Sequence, residues 1–232
     1  GCLPLYLSMR AAIRAHVGAA AYQATPDDIK RAEAQVYLNM TLDYLQPAPP
    51  RLIAIGGLSG SGKSRLSRDL APFIGAAPGA RIARSDVLRK RLAGVDPLSK
   101  LGPQGYSSEM TAQTYRAVYD EAQTALRAGH SAIADAVFAS PEERRAIAAV
   151  AADLNVPFQG IWLDAPGPVM SERVNLRRGD ASDADDQIVA RQLAYDLGEI
   201  DWPRLDSSGT RDQTLASGLA IADPQRQTEP FQ

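Results

Sequence analysis

Apolar residues return every fourth position near the start of the chain, at Leu5, Met9, Ile13 and Val17, which places them on one face of a helix. A second helix is expected to open at Thr25-Pro26-Asp27-Asp28, with Thr25 as cap and Pro26 in the first helical position, where a missing N–H costs nothing. It runs through Ile29, Val36, Tyr37 and Met40 towards Leu45. Pro47-Ala48-Pro49-Pro50 stops it, because proline disfavours helix in the residue before it and cannot continue one. Beyond this boundary the period changes. Short apolar runs of strand length, at 52–55, 81–85, 131–135, 159–164 and more weakly 204–206, alternate with amphipathic segments at 63–73, 107–128, 141–153, 168–178 and 183–197. Ser140-Pro141-Glu142-Glu143 reads as a capping box, and the 183–197 segment is expected to be capped by Ser182 and stopped by Gly198. This alternation predicts an α/β fold: a doubly wound parallel sheet of about five strands, helices on both faces, and ligands bound at the carboxyl ends of the strands. The expected division is a helical appendage over 1–47, a domain over 48–223 and a flexible tail over 224–232.

The glycine-rich stretch GGLSGSGKS, 56–64, comes directly after the first of these strands. Gly57-x-x-x-x-Gly62-Lys63-Ser64 matches the Walker A pattern of a P-loop, in the required place between a strand and a helix. Glycines let backbone N–H groups curl inwards around a phosphate, so Gly57, Ser59, Gly60, Ser61 and Gly62 are candidates for the cradle. Lys63 is suited to neutralising β- and γ-phosphate charge and the Ser64 hydroxyl to ligating Mg²⁺. The bland alternative is a Gly/Ser turn.

Phosphoryl transfer to an alcohol also needs a carboxylate for the acceptor and cations for the moving group. The second strand leads into Ser85-Asp86, and a helix over 86–92 sets Asp86 and Arg89 three residues apart on one face. An N-capping role for Asp86 is the competing account. Asp135 closes Ala132-Ile133-Ala134 in the manner of a Walker B carboxylate that holds Mg²⁺, or as an ordinary turn residue. In 171–186, Arg173 and Arg177 lie four apart with Arg178 adjacent, a pattern that fits either a lid carrying guanidinium groups to a phosphate or exposed surface arginines. The stretch from Gly94 to Gly105 reads equally as a mobile substrate loop or a plain connection.

Composition removes several classes. Lys and Arg total 25 against 27 Asp and Glu, a net charge of −2 that offers no global field for nucleic acid or an anionic membrane. Cys2 is the only cysteine and His16 and His130 the only histidines, which argues against disulfides and against a cysteine- or histidine-rich metal site. No apolar run is long enough to span a bilayer, and the opening residues lack the basic flank of a signal peptide, so a cytoplasmic location is expected. Opening on Gly1, the chain reads as a processed or excised piece.

Taken in order, GGLSGSGKS, SDVLRKRL, AIADAVF, WLDAP and RVNLRRGDASDAD resemble the zeta-toxin-like and polynucleotide-kinase-like branch of P-loop kinases. From Pro50 to about Ile221 the chain is similar to the C-terminal ATP-binding half of the bifunctional aminoglycoside phosphotransferase/ATP-binding proteins. LSMRAAIRAHV, 7–17, looks like the end of the preceding phosphotransferase-like half, whose HxD catalytic loop is absent here. The resemblance implies Asp86 as the acceptor-activating aspartate and Arg89 as the arginine three residues on, Lys63 and Ser64 as phosphate and Mg²⁺ ligands, and Arg173 and Arg177 as lid arginines. It implies ATP and Mg²⁺ as cofactors and a small-molecule hydroxyl as acceptor. Two other functions remain open on sequence: a nucleotide-binding regulatory module attached to an N-terminal phosphotransferase-like partner, and a polynucleotide 5′-kinase suggested by the basic run from Arg81 to Arg91.

Overall fold

Alanine, serine and glycine form the seam of an N-terminal helical hairpin. The computed structural model of the chain describes residues 2–46, 48–176 and 179–223. It divides into two units, Gly1–Pro49 with Gly75–Pro78, and Pro50–Ile74 with Gly79–Gln232. In the first, α1 (Leu3–Ala24) packs on α2 (Asp28–Leu45) through buried Ser8, Ala11 and Ala15. Gly18 continues the seam, where an added Cβ would stand 3.1 Å from the Ala34 Cβ. The Ser8 hydroxyl donates to the Thr41 carbonyl at 3.0 Å. Small residues give the closest backbone approach, so the predicted stripe faces away: Leu5, Met9, Ile13 and Val17 are each more than half exposed. The start of α2 also differs from expectation. Asp27 is the cap, its carboxylate accepting from the Ile29 N–H at 2.9 Å, while Thr25 ends α1.

The second unit is built on five strands, β1 (Leu52–Gly56), β2 (Arg81–Arg84), β3 (Ala132–Asp135), β4 (Phe158–Asp164) and β5 (Arg204–Asp206), all parallel in the order β2-β3-β1-β4-β5. Between them run α3 (Lys63–Leu70), α4 (Ser85–Leu92), α5 (Ser108–Arg127), α6 (Pro141–Asp153), α7 (Gly167–Leu176) and α8 (Asp186–Leu193), with α9 (Arg211–Ala222) last. Strand alternation sorts the core into two layers. Leu52, Ala54, Ala132, Ala134 and Trp162 belong to one, with Val118 and Ala122 of α5 and Ile147 of α6. Ile53, Ile55, Ile133, Ile161 and Leu163 belong to the other, with Leu66 and Leu70 of α3 and Ala222 of α9. Gly160 stands inside β4 where Trp202 lies across the strand, and a Cβ there would stand 2.3 Å from the indole. This is the α/β architecture that the sequence predicts, and no helix among the described residues is long and apolar enough to cross a membrane.

Two helix ends depart from their sequence signals. The segment expected over 183–197 is helical only over Asp186–Leu193, and Asp185 caps it, accepting from the Ile188 N–H at 2.9 Å. The Ser182 N–H bonds the Asp180 carboxylate instead. Past α8 the backbone is claimed from outside: the buried Arg144 guanidinium donates to the carbonyls of Leu197 (2.7 Å) and Glu199 (2.8 Å) as well as Phe138 (2.8 Å) and Ala139 (3.0 Å). Gly198 therefore lies in a loop rather than at a helix end. Further along, the tail expected over 224–232 lies outside the described residues.

Candidate active site

Three strand tips end level with one another. Asp135 of β3 pairs in register with Ile55 of β1 on one side and Arg84 of β2 on the other, so the loops and helices leaving these strands emerge in one place. From β1 comes the P-loop. Gly57 and Gly60 have φ of +135° and +83°, and a Cβ would meet the Leu163 carbonyl oxygen at 2.5 Å or the Met170 carbonyl oxygen at 2.4 Å. Only glycine fits either position. The loop is held from outside: the Ser59 N–H donates to Gln192 Oε1 at 2.7 Å, and the Ser207 hydroxyl donates to the Ser61 carbonyl at 2.6 Å. Lys63, the first residue of α3, folds back so that its Nζ donates to the Leu58 carbonyl at 2.9 Å. A cavity of about 570 Å³ opens beside the loop, bordered by Gly62, Ser64, Arg68, Arg173, Ser207 and Arg211.

Asp135 is buried at the end of β3. Burial pushes its carboxyl above the ordinary range, against the pull of Lys63, the Ser64 hydroxyl and Arg84. Arg84 lies between acids. Its guanidinium is 3.8 Å from Asp135 and 3.6 Å from Asp86, and it donates to the Asp180 carboxylate. Desolvation works against the Arg84 charge, but these carboxylates outweigh it and raise its pKa further. Ser61 Oγ, Arg84 Nε and Asp135 Oδ2 are buried with no hydrogen-bond partner among the described residues. Orphaned polar atoms on a glycine-rich loop and the adjacent strand tips fit a site made for phosphate and a cation. Among the described residues no three His, Cys, Asp or Glu side chains gather to cage a metal. A cation here would depend on Ser64, Asp135, ligand oxygens and water, the donor set that suits Mg²⁺.

Asp86 lies in the first turn of α4, with Arg84 in the cap position, so Asp86 is not the N-cap. Arg89 is turned to the segment beyond α4: it donates to the Gly105 carbonyl at 2.9 Å and to Thr111 Oγ1 at 3.3 Å, and lies 5.0 Å from the Tyr106 ring centroid. Burial raises the pKa of the Tyr106 hydroxyl, and the charges of Asp86 and Arg89 both reach it, the first raising and the second lowering that pKa. Arg173 borders the cavity and donates to the Ser207 carbonyl at 2.7 Å, with a 3.5 Å contact to the Gly60 carbonyl. Arg177 and Arg178 lie outside the described residues. Sequence reasoning passed over Arg84, Gln192 and Ser207. Arg84 carried a readable signal, a charge closing a strand directly before Ser85-Asp86. Gln192 and Ser207 carried none, because their roles depend on long-range contacts.

The family profile of the AAA domain (AAA_33) matches residues 52–196. Curated relatives, uncharacterized proteins of Mycobacterium tuberculosis and Mycobacterium bovis, are 30% identical over 227 residues and 93% of this chain. The chain spans 43% of their length. Among solved structures, a sugar kinase from a Janibacter species is 21% identical with a TM-score of 0.56, over 79% of this chain and 100% of that one. A gluconokinase from Sinorhizobium meliloti gives 19% identity and 0.51 over 78% and 98%. The Mycobacterium tuberculosis APS kinase in complex with AMPPNP and APS gives 21% and 0.51 over 75% and 98%. The fold is thus that of the P-loop kinases. With its P-loop, its Asp135 strand and the helices through α8 inside one continuous match, this chain belongs to the AAA domain family.

Proposed function

We propose that the protein is an ATP- and Mg²⁺-dependent kinase that transfers the γ-phosphoryl group to a hydroxyl of a small molecule. One observation carries the reading: a complete P-loop whose neighbouring strand tips present a buried carboxylate, Asp135, and a second acid, Asp86. The Gly57–Ser64 backbone and Lys63 would bind the β- and γ-phosphates, with Arg173 on the cavity rim available to charge on the moving group. Ser64 and Asp135 would hold Mg²⁺, which when bound neutralises phosphate charge and orients the nucleotide. Asp86 would accept the proton of the acceptor hydroxyl as its oxygen bonds to the γ-phosphorus and ADP departs. The sugar kinase and gluconokinase neighbours support a hydroxyl acceptor, and the motif order from GGLSGSGKS to RVNLRRGDASDAD favours the zeta-toxin and polynucleotide-kinase branch.

Asp86→Asn keeps the size of the side chain and removes its basicity. Transfer from γ-labelled ATP to a metabolite pool is expected to fall by about 10²-fold or more while ATP affinity, measured by calorimetry, stays nearly intact. An equal loss of binding and turnover would remove Asp86 from this role. A regulatory role in a larger protein is the second reading, favoured by the length of the relatives, whose remaining 57% by difference from the matched 43% leaves room for an attached phosphotransferase-like domain.

A further inference from the structure

Asp183, in the loop between α7 and α8, gathers three contacts from the far side of the site. One carboxylate oxygen accepts from the buried Lys90 Nζ of α4 at 2.8 Å. The other accepts from the Leu101 N–H at 2.9 Å and from the Tyr106 hydroxyl at 2.7 Å. Lys90 also donates to the Pro97 carbonyl at 3.1 Å. The Lys90 side chain is 1% exposed and that of Asp183 7%, so this is a desolvated pair and not a surface bridge. It fastens the 94–105 segment, with its glycines and prolines, at Pro97 and Leu101 and at the adjoining Tyr106. Burial alone would raise the Asp183 carboxyl, but Lys90, the Leu101 N–H and Tyr106 together hold it below the usual range.

Both flanks of the Asp183 loop are tied to the P-loop. On the α7 side Arg173 reaches Gly60 and Ser207, and on the α8 side Gln192 holds the Ser59 N–H. Asp180, in the same loop, takes Arg84. A single stretch of chain therefore touches the phosphate cradle at its two ends and the segment after α4 at its middle. Plain anchoring of an irregular segment needs no such connection: Lys90 and Arg89, already in α4, fasten it to their own helix through Pro97 and Gly105.

We infer that Asp183 is a positioning residue through which occupation of the P-loop sets the placement of residues 95–106, so that the nucleotide orders the acceptor side before the acceptor arrives. The inference rests on the kinase reading above, and on contiguous contacts that have two ends to communicate. Its energetic form is a coupling between two binding events, expressed in the order of a segment.

Removing Asp183 alone would strand a buried ammonium, so the decisive variant is the double replacement Lys90→Met/Asp183→Leu, which removes both charges together. Asp183→Asn is the milder companion. Amide hydrogen exchange over 95–106 is followed with and without saturating Mg²⁺·AMPPNP, and affinity is measured on the same samples. In the wild-type chain the nucleotide is expected to slow exchange there by about 10-fold or more. In the double variant the nucleotide is expected to bind within about twofold of wild type, since these residues do not touch the cavity, while 95–106 no longer responds. Equal slowing in wild type and double variant, or saturable binding with no slowing in wild type, overturns the link and leaves the kinase reading standing. Absence of saturable binding in the wild type overturns the kinase reading and this inference with it.

Discussion

At the scale of single residues, the cradle tolerates no side chain where it turns. Gly60 has φ of +83° and a Met170 carbonyl where a Cβ would go, so Gly60→Ala must shift the loop in addition to bearing the left-handed penalty of roughly 1–2 kcal/mol. Nucleotide affinity is expected to fall about 10-fold or more in titration calorimetry, and the melting temperature by a few degrees, since the folded state bears the strain. The P-loop was legible because its residue types are dictated by local backbone and phosphate geometry. Asp86 was legible as a site candidate, and its alternative as an N-cap gives way to Arg84 in that position. Sequence spacing gives the face that Arg89 shares with Asp86 but not its partners: helical spacing sets the direction of a Cβ, whereas a long guanidinium goes where acceptors are, here Gly105 and Thr111. Asp183 was invisible because its partners are spread from Lys90 to Tyr106.

Among elements, the central strands β1, β3 and β4 were the most readable, since burial on both faces leaves an apolar signature that few other contexts produce. Helix ends were less so. A cap is decided by which of several neighbouring oxygens reaches a free N–H, and at both α2 and α8 an aspartate nearer the helix prevailed over the Thr or Ser expected. In β4 the element depends on a missing side chain. Gly160→Ala drives a methyl into the Trp202 ring, and overpacking of this kind costs about 1–3 kcal/mol. The denaturation midpoint is expected to drop with the slope unchanged, whereas an unaltered midpoint would mean that Trp202 can leave its seat.

Over the whole molecule, the basic run from Arg81 to Arg91 divides: Arg84 and Lys90 are withdrawn among acids, while Arg81 and Arg91 stay more than half exposed and share one glutamate. Arg81 and Arg91 meet Glu121, Arg84 meets three aspartates, and Lys90 meets Asp183. The net charge of −2 offers no global field to a polynucleotide, and of the run Arg84 and Lys90 are withdrawn from solvent. Every candidate site residue lies between Gly57 and Arg211, so a chain of residues 50–223 is expected to bind Mg²⁺·AMPPNP within about twofold of the full chain by calorimetry. A large loss would implicate the hairpin in the site. The hairpin itself has its side chains allotted in reverse, with alanine, serine and glycine between its helices and leucine, methionine, isoleucine and valine turned outwards. Water in contact with that outer wall is unfavourably ordered, and whatever first dries it, be it a neighbouring domain, a second molecule or a fluorescent dye, gains free energy without having to form a single hydrogen bond.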